Sequence, residues 1–223
     1  MSKSKSSDNV VAVQPDRRWP AMVSVLSVAA MHVFLPEDLS VGPGWSLVVL
    51  VGILTAAAIV SRRTGRHDLN QIAGYSILAV VTCALIYALA GLVGALMSHK
   101  GTPAELLYSA VILWTTNIVL FAGWYWRLDG GGPNVRMRHD FHEQGAFLFP
   151  QMTLDEETRL TLGMEKWSPE FVDYLFLAFN TSTAFSPTDV PVLGRWAKVL
   201  MMVQSSISLT TLAILAARAV NII

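Results

Sequence analysis

Apolar residues fall along this chain in long runs separated by short polar stretches. Strands would show alternation, and soluble helices a one-sided apolar stripe. The runs are Trp19 to Pro36, Trp45 to Ser61, Ile72 to Ser98, Leu106 to Trp126 and Val199 to Ala217. A spanning helix needs about 20 apolar residues. The third and fourth runs reach that length, and the first two fall slightly short, as suits a locally thinned bilayer. The first run follows a basic stretch, as a signal peptide would. No small-x-small cleavage site follows it and further apolar runs do, so it reads as a span.

The polar stretches are equally informative. Residues 1–18 form a Ser-rich, basic tail, read as disordered. Gly130 to Pro133 breaks the chain after the fourth run, and the segment 127–168 is the only long polar one. Within it, Thr153 and Glu156 make a capping-box pattern and Gly163 suits a helix stop, which predicts a short surface helix. Ser168 and Pro169 predict the start of another helix, as N-cap and first helical residue. That helix breaks at Ser186 and Pro187. The pattern predicts an all-α membrane protein with about five transmembrane helices plus one short re-entrant or interfacial helix before the last span. Its segments are the tail 1–18, a four-helix region 19–126, a cytoplasmic linker 127–168, and a closing module 169–223.

Composition agrees with lipid as the main solvent. Hydrophobic residues make up 53% of the 223 and charged residues 14%, against roughly 25% charged in a soluble domain. The 16 basic and 16 acidic residues cancel, so nothing points to a nucleic-acid partner. A single cysteine, Cys83, sits in an apolar run and makes no internal disulfide. Charge placement sets an orientation. Cytoplasmic loops collect Lys and Arg, and the tail, Arg62 to His67, Arg127 with Arg136 and Arg138, and Arg195 with Lys198 all fall on one side of the predicted spans. This puts the N-terminus in the cytoplasm.

The closing module is the candidate for chemistry. Pro169 to Thr183 is about 15 residues, or roughly 22 Å of helix, too short for a hydrocarbon core of about 30 Å. It is nevertheless apolar, and it ends in the hydroxyl-rich stretch Asn180 to Asp189. Irregular backbone at membrane depth is tolerated where it is buried in protein or lines a water-filled cavity. In the last run Gln204, Ser208, Thr211 and Arg218 share one helical face. Such a stripe lines a polar path or packs against other helices.

The stretch YLFLAFNTSTAFSPTDVPVLGRWAKVLMMVQSSISLTTLAILAARAVNII resembles the pore-helix, filter and inner-helix module of the potassium-channel superfamily. That family's filter is Thr-Val-Gly-Tyr-Gly. The comparable residues are Thr183, Ala184, Phe185, Ser186 and Pro187, which lack both glycines, so the resemblance does not imply potassium selectivity. The whole chain is also similar to bacterial multi-span membrane proteins of unknown function that share a closing segment matched here by Tyr174, Ala178, Phe179, Phe185, Thr188, Asp189 and Val190. The channel resemblance implies a homo-oligomer, a tetramer if it conducts, passing monovalent cations. Its pore or filter residues would be Thr181, Ser182, Thr183 and Asp189, with Gln204, Ser208 and Thr211 as the inner-helix polar face. The alternative is a non-channel scaffold or accessory subunit with that face sealed against protein.

Other signals carry less. His139, Asp140, His142 and Glu143 form a compact cluster in a Gly- and Pro-flanked loop, and read as solvated rather than as a metal or hydrolytic site. Ala84, Ala88, Gly91 and Ala95 make a small-residue stripe suited to close helix packing. Asn117 in the fourth span reads as bonded to a neighbouring helix. No cofactor, metal or catalytic residue is assigned, and the chain reads as a non-enzyme whose surroundings are the lipid bilayer.

Overall fold

A computed structural model describes residues 19–98, 101–136, 142, 144–185 and 189–220. The basic tail, His139, Asp140, Glu143 and the Ser186–Thr188 break lie outside the described residues. The helices are α1 (Trp19–Met31), α2 (Trp45–Arg63), α3 (His67–Met97), α4 (Pro103–Leu128), α5 (Pro133–Arg136), α6 (Glu156–Thr161), α7 (Phe171–Thr183) and α8 (Arg195–Val220). The fold is all-α. Four helices, corresponding to α2, α3, α4 and α8, are long and apolar enough to cross a membrane. Of the roughly five expected spans these four are found; the first apolar run instead forms α1, a shorter apolar helix of 13 residues followed by a 3-10 turn at His32–Phe34.

α4 is the axis of the bundle, packed against α8, α7, α3 and α1. Its start is fixed by Thr102, whose hydroxyl accepts from the Glu105 backbone N–H while the Glu105 carboxylate accepts from the Thr102 N–H. Pro103 takes the first helical position, where a missing N–H costs nothing. Two expected caps fall elsewhere. Thr153 does not cap the surface helix, because its hydroxyl donates to the Pro150 carbonyl in a 3-10 turn. Asp155 does, accepting from the Thr158 N–H. Likewise α7 starts at Phe171 rather than Pro169, because the Asp173 carboxylate accepts from the Glu170 N–H.

α7 runs antiparallel to α4. Phe171 meets Trp126 edge-on at 6.1 Å between ring centroids, and Phe179 meets Trp114 at 6.2 Å. Between those two tryptophans α4 rises about 18 Å. By Val192 the chain is back at the end where α7 began, paired as an antiparallel bridge with Phe147. The Leu148 N–H donates to the Pro191 carbonyl and the Leu193 N–H to that of Ala146. The linker is therefore not polar throughout. Ala146, Phe147 and Phe149 are buried, and Phe147 sits among Tyr125, Tyr174 and Trp196 at 5.2 to 6.2 Å.

Candidate functional site

The predicted polar face of α8 lies inside the chain. Gln204, Ser208 and Thr211 are each 0% exposed. The Gln204 amide donates to the Ala178 carbonyl at 2.7 Å and to the Ser182 hydroxyl at 2.8 Å, both on α7. Its oxygen accepts from the Tyr125 hydroxyl of α4 at 2.5 Å. About two turns earlier on α4, the Asn117 amide donates to the Ser208 hydroxyl at 2.8 Å and to the Gln204 carbonyl at 3.1 Å. The Thr211 hydroxyl returns to the Ile207 and Ser208 carbonyls of its own helix. Three helices are thus tied by one connected network in an apolar surround. A buried network of this kind is stabilising when its members are satisfied and costly when they are not.

The filter candidates divide. Thr181 and Ser182 are buried; the Thr181 hydroxyl donates to the Leu177 carbonyl, and Ser182 serves Gln204. Thr183 and Asp189 are exposed. The Thr183 hydroxyl donates to the Phe179 carbonyl. Asp189 does not cap α8, which begins six residues later at Arg195. Phe185, just past the end of α7, has a φ of 56°, the left-handed region where a helix stop usually has glycine.

A second polar cluster closes the basic end of the bundle. Asp129, 0% exposed, accepts from the Ala146 N–H at 2.5 Å and from the Tyr174 hydroxyl at 2.7 Å. His142 approaches the same carboxylate at 3.5 Å. Arg136 turns back to donate to the Trp126 and Asp129 carbonyls, at 2.9 and 2.6 Å. Its guanidinium lies over the Tyr174 ring at 5.2 Å. This satisfies the last carbonyls of α4 with a cation, where the helix dipole also favours one. Gly145 allows the approach, since a Cβ there would sit 2.7 Å from the Asp129 carboxylate. A cavity of about 790 Å³ opens beside Arg136, His142, Gln144 and Trp196.

Comparison with protein-family models, with curated proteins and with solved structures finds no match to this chain. Among the described residues no three or more His, Cys, Asp or Glu side chains come together as a metal site. Asp129 escaped the sequence reading because it looks like a loop residue before three glycines. The only signal was that a carboxylate followed the α4 run directly. Of the four residues in the His139 to Glu143 motif, His142 is described, and it is buried rather than solvated.

Proposed function

We propose that this chain is a polytopic protein of the bacterial inner membrane, basic end in the cytoplasm, acting as a non-conducting scaffold or as an accessory subunit of a larger complex. The Gln204 network carries this reading. Polar groups at membrane depth face either water or protein, and here Gln204 and Ser208 are bonded to α4 and α7 of the same chain while Thr211 is fully buried. The polar face is spent on holding the bundle together, and the exposed residues of α7 and α8 include Phe176, Phe179, Met202 and Leu209, which suit lipid or a partner helix. Purified protein in liposomes is expected to pass potassium, sodium and protons no faster than empty liposomes do. Flux of any of these above that baseline would overturn the reading.

The second reading is a channel-like homo-oligomer, a tetramer by analogy, passing monovalent cations. It draws on α7, which starts beside the basic end of α4 and is followed by a return to that end, as a re-entrant segment does. It also draws on Thr183 and Asp189, which are exposed on the surface of the single chain. This reading predicts a stable tetramer in detergent and a cation flux that Asp189→Ala abolishes with the tetramer intact.

A further inference from the structure

Four helix ends converge on a second cavity, of about 520 Å³, at the basic end of the molecule. The start of α1 contributes Ala21 and Val25, the last turn of α2 Arg62 and Arg63, the start of α3 Gly74, and the last turn of α4 Arg127. The walls are aliphatic, with Ile59, Ile77 and Leu78 among the lining residues. Its polar edge is cationic. Arg62 and Arg63 are exposed and Arg127 is half-buried. Arg127 lies 5.8 Å from the Tyr75 ring centroid and 6.0 Å from that of Trp126. Its guanidinium occupies a notch at Gly74, where any Cβ would coincide with it.

Among the described residues no carboxylate lies within ion-pair distance of these guanidiniums; the one close acid–base contact joins His142 to Asp129, at the Asp129 cluster. The Asn70 amide, also at the cavity, is already committed to the Ala58 carbonyl. Trp126 lines the cavity too, and its indole N–H has no partner among the described residues. A half-buried guanidinium held over aromatic rings calls for an anion.

We propose that this cavity binds one anionic phospholipid, with its phosphate between Arg62, Arg63 and Arg127 and one acyl chain along the aliphatic wall. A small soluble anion would leave that wall empty, and a zwitterionic lipid would leave the three cations in excess. The helix ends set the site at headgroup depth. Cytoplasmic leaflets are rich in anionic lipids, and basic pockets between spans on that side recognise their headgroups. This last point rests on the cytoplasmic assignment of the basic end made above.

The test is lipid binding by the full chain in detergent, read by native mass spectrometry and by thermal unfolding. Phosphatidylglycerol, phosphatidylcholine and inorganic phosphate are titrated separately. Phosphatidylglycerol is expected to bind at one site and raise the unfolding temperature, and the other two are expected to do neither. Each arginine near the headgroup contributes about fivefold in affinity. Arg62→Ala with Arg63→Ala should therefore weaken phosphatidylglycerol about 25-fold, and the double lysine variant should retain most of it. Gly74→Ala, which displaces Arg127 from its notch, should weaken it about fivefold.

Equal affinity in the alanine and wild-type proteins overturns the proposal, as does equal binding of phosphatidylcholine. Displacement of the lipid by inorganic phosphate would make this a soluble-anion site instead. Arg62 and Arg63 are exposed, so their replacement leaves the packing of Arg127 in place. The assay needs neither orientation nor flux, so its failure is separable from failure of the scaffold reading.

Discussion

At Gln204 a single amide side chain serves three helices. It uses both amide hydrogens on α7 and its oxygen on α4. Gln204→Leu removes all of these while keeping most of the volume, and leaves the Tyr125 hydroxyl buried without its acceptor. Interhelical hydrogen bonds in membrane proteins average about 0.6 kcal/mol each. The substitution should therefore cost about 2 kcal/mol, read as a shift in unfolding by denaturing detergent. Ser206→Ala is the control: its hydroxyl is exposed and bonds only to its own helix at the Met202 carbonyl, so no comparable loss is expected. A loss no larger than the control's would mean that the network does not hold the helices. The helical spacing of Gln204, Ser208 and Thr211 marks them as one face from sequence. Their partners were not legible, since Asn117 and Tyr125 lie 79 to 91 residues away and nothing local encodes which helix will cover a stripe.

At the scale of elements, Asp129 joins the end of α4 to the Ala146–Phe149 segment and to α7 through its two oxygens. Hydrogen bonds to a charged acceptor contribute about 1.5 to 3 kcal/mol each. Asp129→Ala should thus destabilise by about 3 kcal/mol or more. Asp129→Asn should cost less, because the amide oxygen still accepts from the Ala146 N–H and the Tyr174 hydroxyl can rotate to accept. Thermal unfolding of both variants checks the order, and an equal loss in the two would show that the acceptor oxygen retained by Asn contributes nothing.

The surface helix α6 makes a pH prediction. Hydrogen bonding from Thr158, side chain first and then backbone N–H, holds the Asp155 carboxyl below the usual range. A group whose value is depressed on folding stabilises the fold above its unfolded value of about 3.9. That contribution is lost as the pH falls through the lower, folded value. The Thr158 amide resonance should therefore titrate with a midpoint below about 3.9, and a midpoint at or above it would remove the cap argument. The α6 helix itself was legible because turn chemistry is local. Its cap was misplaced by two residues because Thr153 and Asp155 are both good caps, and the 3-10 turn at Pro150 claims the first.

At the scale of the whole molecule, the apolar runs were legible because the hydrocarbon core imposes length and composition on each helix separately. The end of α1 at Met31, the buried Phe147 and the position of α7 were not, because they depend on what the bundle leaves uncovered. The antiparallel course of the helices also gathers charge at one end. Arg62, Arg63, Arg127 and Arg136 stand where α2 and α4 finish, and Arg195 and Lys198 where α8 begins. Glu37 and Asp38 lie in the loop at the other end, against Gly91 far along α3. Lys and Arg set orientation whatever acids accompany them, so the end holding these cations should face the cytoplasm. Cys83 is the sole cysteine, which allows a direct measurement. In a Cys83→Ser background, Ser40→Cys should react with a membrane-impermeant thiol reagent in intact spheroplasts. Thr64→Cys, in the exposed turn after α2, should react only in inverted vesicles. The reverse pattern would invert the molecule and move the arginine-rimmed cavity to the outer leaflet, whereas labelling of both positions from one side would show that α2 does not cross the membrane.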